Sequence, residues 1–267
     1  MEINFGEPYT AWKQYGLEQY PIQVDGKDTS YKAIFRNNVL VKVLGKSYEL
    51  FPNEEALKIA DAAASLAGLE RFAPKTFGIR VDGHMLYNKQ ETKMRAIYTP
   101  GKIQRVDGEE VNVGVNVFNA IDGSSSFGCG IFTFRHICGN GVIYGYEEIM
   151  QLRRIHTKGL EAAIEDMKDK MVLVMEQGAE LLEAYRRMAA VKVTEQFIDR
   201  ILSSRLPAKV LPYYLKEEEA RLPDITEWQL YNDITELIWH NEKTGLHSKT
   251  FQFNTLHSIM PLIPRRV

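Results

Sequence analysis

Leu160, Ile164, Met167, Met171, Val174, Gly178, Leu181, Tyr185 and Met188 step along the chain by alternating fours and threes. That spacing holds one stripe on one side of an α-helix for four heptads. At 1.5 Å per residue the rod is about 45 Å long, so the fold must be built around it or joined through it. Gly178 costs roughly 1 kcal/mol of helix propensity against alanine and permits a close backbone approach or a bend. Two destinations are open for Leu160, Ile164, Met167, Met171, Val174 and Leu181: packing inside the chain, or the seam of an oligomer.

Upstream the apolar period changes from 3.6 to two. Val113, Val115 and Val117, then Phe127, Ile131 and Phe132 across a turn, are β-branched and aromatic types that suit a pleated, half-buried surface. Asp122-Gly123 with Ser124, Ser125 and Ser126 is the turn, because glycine accepts positive φ and the short polar side chains bond the local backbone. Tyr31 to Leu44 reads as two strands around Asn37-Asn38. Pro52-Asn53-Glu54-Glu55 then opens a helix, with Asn53 as N-cap and Gly68 as the stop. Pro74 to Tyr98 adds strands with a turn at Val81-Asp82-Gly83-His84, and Asp107-Gly108 continues the β pattern. Beyond the long helix, Thr194-Glu195 restarts a helix, Pro207, Pro212 and Pro223 mark a loop-rich connection, and Thr226 opens a final amphipathic helix through Trp228, Leu230, Tyr231, Ile234, Leu237 and Ile238. The expectation is a single α+β domain over 1–267: an antiparallel β meander with one helix, sheet-rich over about 30–145, and a helical part packed on it over about 146–260.

A chain of 267 residues, 45% hydrophobic, 25% charged and of net charge −2, can bury a sizeable core. It has no apolar stretch of about 18 residues, and its first residues lack the basic and apolar regions of a signal peptide, so the expectation is a cytoplasmic protein without membrane contact. Cys129 and Cys138 have no CxxC or HxxxH partners and read as free thiols rather than a zinc site.

The catalytic signatures are thin. No GxxxxGK[ST] loop is present, and Gly128-Cys129-Gly130 lacks the third glycine and following helix of a dinucleotide site, so no nucleotide cofactor is expected. His84, His136, His156, His240, His247 and His257 are scattered, without metal-ligand spacing, and neither metal nor other cofactor is expected. What remains is cations and aromatics on β structure. Between Arg80 and Asp107 six cations face three anions. Arg95, Lys102 and Arg105 accompany Tyr87 and Tyr98; Arg135 and His136 precede a Gly139-Asn140-Gly141 turn whose exposed N–H groups can hold an anion; Arg153, Arg154 and Lys158 approach the long helix. Cations hold phosphates and aromatic faces stack unpaired bases, so this inventory suits a single strand better than a duplex groove.

Four blocks carry a family resemblance: Leu44-Gly45-x-x-Tyr48-x-x-x-Pro52-Asn53-x-Glu55-Ala56, Asn119-x-x-Asp122-Gly123-Ser124, Phe134-Arg135-x-x-Cys138-x-Asn140-Gly141, and Trp228-x-x-Tyr231-Asn232-x-x-Thr235-Glu236. They resemble the recurrent blocks of a phage- and plasmid-encoded family of unknown function, domain-of-unknown-function 932, over Val39 to Met260. That context implies, by fold-level analogy, annealing proteins of the lambda Red beta kind, which share a β meander and a long helix. The leading expectation is a non-enzymatic single-stranded-DNA-binding protein acting in recombination or annealing as a homo-oligomer, its backbone contacts made by Arg95, Lys102, Arg105, Arg135, His136, Arg153, Arg154 and Lys158. The rivals are a structural or partner-binding oligomer, and a metal-dependent hydrolase or nuclease using Asp122, His136 and nearby carboxylates such as Glu147 or Glu148. Asn119, Asp122, Gly123, Asn140 and Gly141 are either site loops or turn builders.

Overall fold

Strands begin at Ile3, well ahead of the first expected hairpin. In the computed structural model β1 (Ile3–Phe5), β2 (Leu17–Val24), β3 (Lys27–Arg36) and β4 (Val39–Gly45) form an antiparallel sheet in sequence order. Residues 2–9, 12–72, 81–82, 85–87, 91–135, 140–149, 152–215, 224–241 and 246–260 are described. Of these, 81–82, 85–87, 140–149, 152–159 and most of 246–250 are described as backbone alone. Asp25-Gly26 and Asn37-Asn38 both carry positive φ at each position, the geometry of a two-residue hairpin that matches strand twist. The sheet-rich part therefore starts some 25 residues before the expected boundary near 30. Pro21 hides β2 from a sequence reading because proline donates no ladder bond; the register shifts beside it, between Pro21 and Gln23.

The helix α1 runs Asn53–Leu66, but its cap is Pro52, in extended conformation, and Asn53 is already helical. The side chain expected to cap the helix is used elsewhere, as described below. Gly68, at φ +68°, ends the helical region as the sequence suggests.

A second, eight-stranded antiparallel sheet follows. Its strands are β5 (Glu70–Arg71), β6 (Val81–Asp82), β7 (Met85–Tyr87), β8 (Lys93–Thr99), β9 (Gln104–Val106), β10 (Glu109–Ala120), β11 (Gly128–Arg135) and β12 (Asn140–Ile149). The order is β12-β11-β10-β8-β7-β6, with β5 on β8 and β9 on β10. The central strand β10 is buried on both faces from Val111 to Ala120, not half-buried as its alternation implies. Val111, Val113, Val115 and Val117 face the helices, and the polar and small residues between them, Asn112, Gly114 and Asn116, are covered as well.

The helical part comprises α2 (Leu152–Ala189), α3 (Glu195–Leu202), α4 (Glu227–Trp239) and α5 (Leu246–Ile259). Thr194 caps α3 by accepting from Phe197 N, and Thr226 with Gln229 makes a capping box on α4. The helix α5 has no counterpart in the sequence reading, because Leu246, Phe251, Phe253, Leu256 and Ile259 do not fall on one side of a helical wheel. Among the described residues no helix is long and apolar enough to cross a membrane.

The stripe on α2 packs inside the chain. Met167, Met171, Val174, Leu181, Tyr185 and Met188 are buried in the main core with α1 and the valine face of β10. Each apolar side chain so buried contributes about 1.5–3 kcal/mol. A Cβ built on Gly178 would lie 2.6 Å from Val113 Cγ1, so the glycine permits a close approach of helix and strand. The stripe opens at its amino-terminal end, where Leu160 is exposed and Ile164 only half-buried. A smaller core of Leu17, Ile34, Leu50 and Ile121, with Trp12, Tyr15, Val41, Leu44 and Tyr48, joins the inner face of the first sheet to the far end of β10.

Candidate functional site

Two polar junctions bring the four sequence blocks together in pairs. At the first, β10 ends against the start of α1. Asn119 Nδ2 donates to the Phe51 carbonyl and to Asn53 Oδ1, each at 2.9 Å, while Asn53 Nδ2 donates to the Glu91 carbonyl at 3.1 Å. The Tyr48 hydroxyl donates to the Ala120 carbonyl at 3.0 Å. Burial, reinforced by the Asp122 carboxylate, pushes the Tyr48 phenol up to about 12. Asp122 Oδ1 accepts from Ser124 N at 2.9 Å, an Asx turn, and its other oxygen lies 3.8 Å from Lys93 Nζ. Gly123 sits at φ +72°, and a Cβ there would press to 3.1 Å on Leu44. Asn119, Asp122 and Gly123 thus shape the turn and tie it to the first block.

At the second junction the end of β11 meets α4. Arg135 Nη1 donates to both Glu109 oxygens at 3.2 and 3.3 Å, Nη2 reaches Glu236 at 3.5 Å, and the side chain is 13% exposed. Trp228 Nε1 and Asn232 Nδ2 also donate to Glu109, at 3.3 and 3.5 Å. Trp228, Asn232 and Glu236 are spaced by four, which places them on one face of α4 over Arg135. Behind them runs a buried relay: Tyr185 and Tyr231 hydroxyls at 2.9 Å, and Tyr231 to His257 Nε2 at 2.9 Å. Burial holds the His257 ring down to about 3, so it is neutral.

The remaining sequence-derived cations do not converge. Arg105 pairs in register with Glu110 and Arg135 with Val111, so both stand at one end of β10 but on opposite faces; Arg95 lies opposite Phe118, toward the other end. Arg105 is 72% exposed, with Glu110 at 3.4 Å, and Lys102 is exposed in the connection between β8 and β9. The Arg95 guanidinium lies 5.9 Å from the Phe118 ring centroid on a half-buried side chain. Tyr98 is buried and donates to Asp61 at 2.7 Å, beside Arg71, so it is not an open stacking face. His136 and Cys138 lie outside the described residues, as do the side chains of Tyr87, Asn140, Glu147, Glu148, Arg153, Arg154 and Lys158. The backbone of Asn140 and Gly141 pairs with Arg135 and Phe134 as the start of β12 rather than forming a turn. Cys129 is buried in the main core. Among the described residues no group of three His, Cys, Asp or Glu is placed to hold a metal ion.

Glu109, Tyr185 and His257 escape a sequence reading. Glu109 opens β10 directly after the Asp107-Gly108 turn, and the other two come from a packing stripe and an unrecognised helix. No curated protein and no solved structure matches the chain. The family model described as Domain of unknown function (DUF932) matches residues 41–260, which include all four blocks and both junctions they form, and the chain belongs to that family.

Proposed function

We propose that the protein is a non-enzymatic, cytoplasmic single-stranded-DNA-binding factor of a mobile element, working in annealing or recombination. The observation that carries this reading is the β10–β11–β12 meander running into the 38-residue α2, which lies across it. Annealing proteins of the lambda Red beta kind share that layout, and the step from layout to activity is a fold-level analogy. Lys102 and Arg105, both exposed, together with Arg153, Arg154 and Lys158 in the first turns of α2, supply the phosphate contacts in this reading. Arg135 does not: its guanidinium already serves two carboxylates.

The test is fluorescence-anisotropy titration of a labelled single-stranded oligonucleotide at two salt concentrations, with a duplex of equal length and a Lys102→Glu/Arg105→Glu variant. Salt-sensitive binding that prefers the single strand and weakens in the variant supports the proposal, with the log–log salt slope reduced by roughly 0.7 per lost contact. Absence of binding at low salt overturns it. The apolar outer face of the amino-terminal sheet favours a second reading, a partner-binding scaffold, which retains a protein partner and shows no oligonucleotide affinity.

A further inference from the structure

The amino-terminal sheet buries only one of its faces. Cross-strand partners share a face, so the register places Phe5, Ile22, Tyr20, Ala33, Phe35, Leu40 and Val43 on the side away from the Leu17–Ile34–Leu50 core. Phe5, Tyr20 and Phe35 form a ring cluster with centroids 5.5–5.9 Å apart. Phe5 is 54%, Tyr31 55% and Leu40 51% exposed, and Ile3 and Val43 also stand open.

We infer that a second copy of this chain packs face to face on this surface, related by a two-fold axis. Large side chains offer about 150–250 Å² each, so these five and their half-buried neighbours present roughly 700 Å². That exceeds the 300–600 Å² of the largest patch on a typical monomer and approaches the roughly 800 Å² per partner of a standard interface. The charge pattern is self-complementary. Lys27 lies opposite Val24 at one end of the face, and Glu18 lies opposite Phe35 at the other. A two-fold axis perpendicular to the strands brings Lys27 of one copy to the partner's Glu18, and does so twice. Among the described residues the register places one cation, Lys27, and one anion, Glu18, on this face, which is not the cationic surface that recruits a polyanion.

Association by the sheet edge is blocked. β4 carries a register shift opposite Ile34 and Phe35 and an exposed lysine, Lys42, both of which deter strand addition, and β1 at the other edge is three residues long. The open route is therefore the face, and it is independent of whether the chain binds DNA.

Sedimentation velocity on the full chain over about a hundredfold concentration range tests this. The expected result is a dimer that becomes monomeric in Tyr31→Glu/Leu40→Glu, with the circular-dichroism spectrum unchanged because both side chains are exposed. Lys27→Glu should weaken the dimer on the order of fivefold, since the pair occurs twice, and Lys27→Glu/Glu18→Lys should restore it. A monomeric wild type, or a dimer that persists in the Tyr31→Glu/Leu40→Glu variant, overturns the inference. So does a monomer whose oligonucleotide affinity falls on Tyr31→Glu, which would assign the face to nucleic acid.

Discussion

Asn119 and Asn53, 66 residues apart in sequence, share a 2.9 Å hydrogen bond in a fully buried setting, and Asn119 also holds the Phe51 carbonyl. The pair locks the end of the longest strand to the first turn of α1. Asn119→Ala strands two buried acceptors and is expected to cost about 2–3 kcal/mol in urea denaturation. Combined with Asn53→Ala, the loss should fall short of the sum by about 1 kcal/mol or more, because the two changes remove one shared interaction. A ligand-binding Asn119 would instead leave stability near wild type.

Arg135 is expected to behave as an architectural residue. Arg135→Ala leaves Glu109 and Glu236 facing each other beneath Trp228. The loss should be about 1–3 kcal/mol, less than for a fully buried pair because Glu236 is half open to water. Arg135→Lys keeps the charge but not the fork that reaches Glu109 through Nη1 and Glu236 through Nη2, and should recover only part of the stability. Thermal melting alongside the oligonucleotide titration separates the roles. A folded Arg135→Ala protein that melts early yet binds DNA with wild-type affinity and salt slope fits the junction; an unchanged melt with lost affinity contradicts it.

Gly178 sets the distance between α2 and β10. Gly178→Ala gains about 1 kcal/mol of helix propensity but drives a methyl to within 2.6 Å of Val113 Cγ1. Overpacking of this kind costs about 1–3 kcal/mol, so a net destabilisation is expected. Val113→Ala vacates the contested space, and the Gly178→Ala/Val113→Ala double variant should be more stable than the two single losses added together. Simple additivity in chemical denaturation would show that the helix shifts to absorb the methyl.

Much of the fold is legible because its signals are local. The stripe from Met167 to Met188 announces α2, Asn37-Asn38 announces its hairpin, and Thr194 and Thr226 announce their helices. The stripe alone does not say where it packs; that depends on the complementary valines of β10, 50 or more residues away. β2 and α5 are missed for opposite reasons: Pro21 breaks a real strand pattern, and α5 is helical without an apolar side. The candidate site is less legible still. Its blocks are visible as blocks, but Arg135 reads as an anion-binding cation until Glu109, at the start of the paired strand β10, and Glu236, from a distant helix, are seen to neutralise it.

His257 gives the fold a defined acid sensitivity. It is buried, bonded to the Tyr231 hydroxyl, and held down to about 3, against about 6.5 when the chain is unfolded. Between those values the unfolded chain binds a proton that the folded chain refuses. Its stability is therefore complete above pH 6.5 and declines as pH falls toward 3. By linkage the loss between pH 7 and pH 5 from this group is about 2 kcal/mol. His257→Gln keeps a hydrogen-bonding group near Tyr231 and removes the titration. The variant should be the less stable protein at pH 7, through imperfect packing, yet lose about 2 kcal/mol less than wild type on going to pH 5. Carboxylates common to both proteins cancel in that difference, so urea midpoints at the two pH values suffice. Parallel losses in the two proteins would mean that the buried ring is not the group through which acid acts.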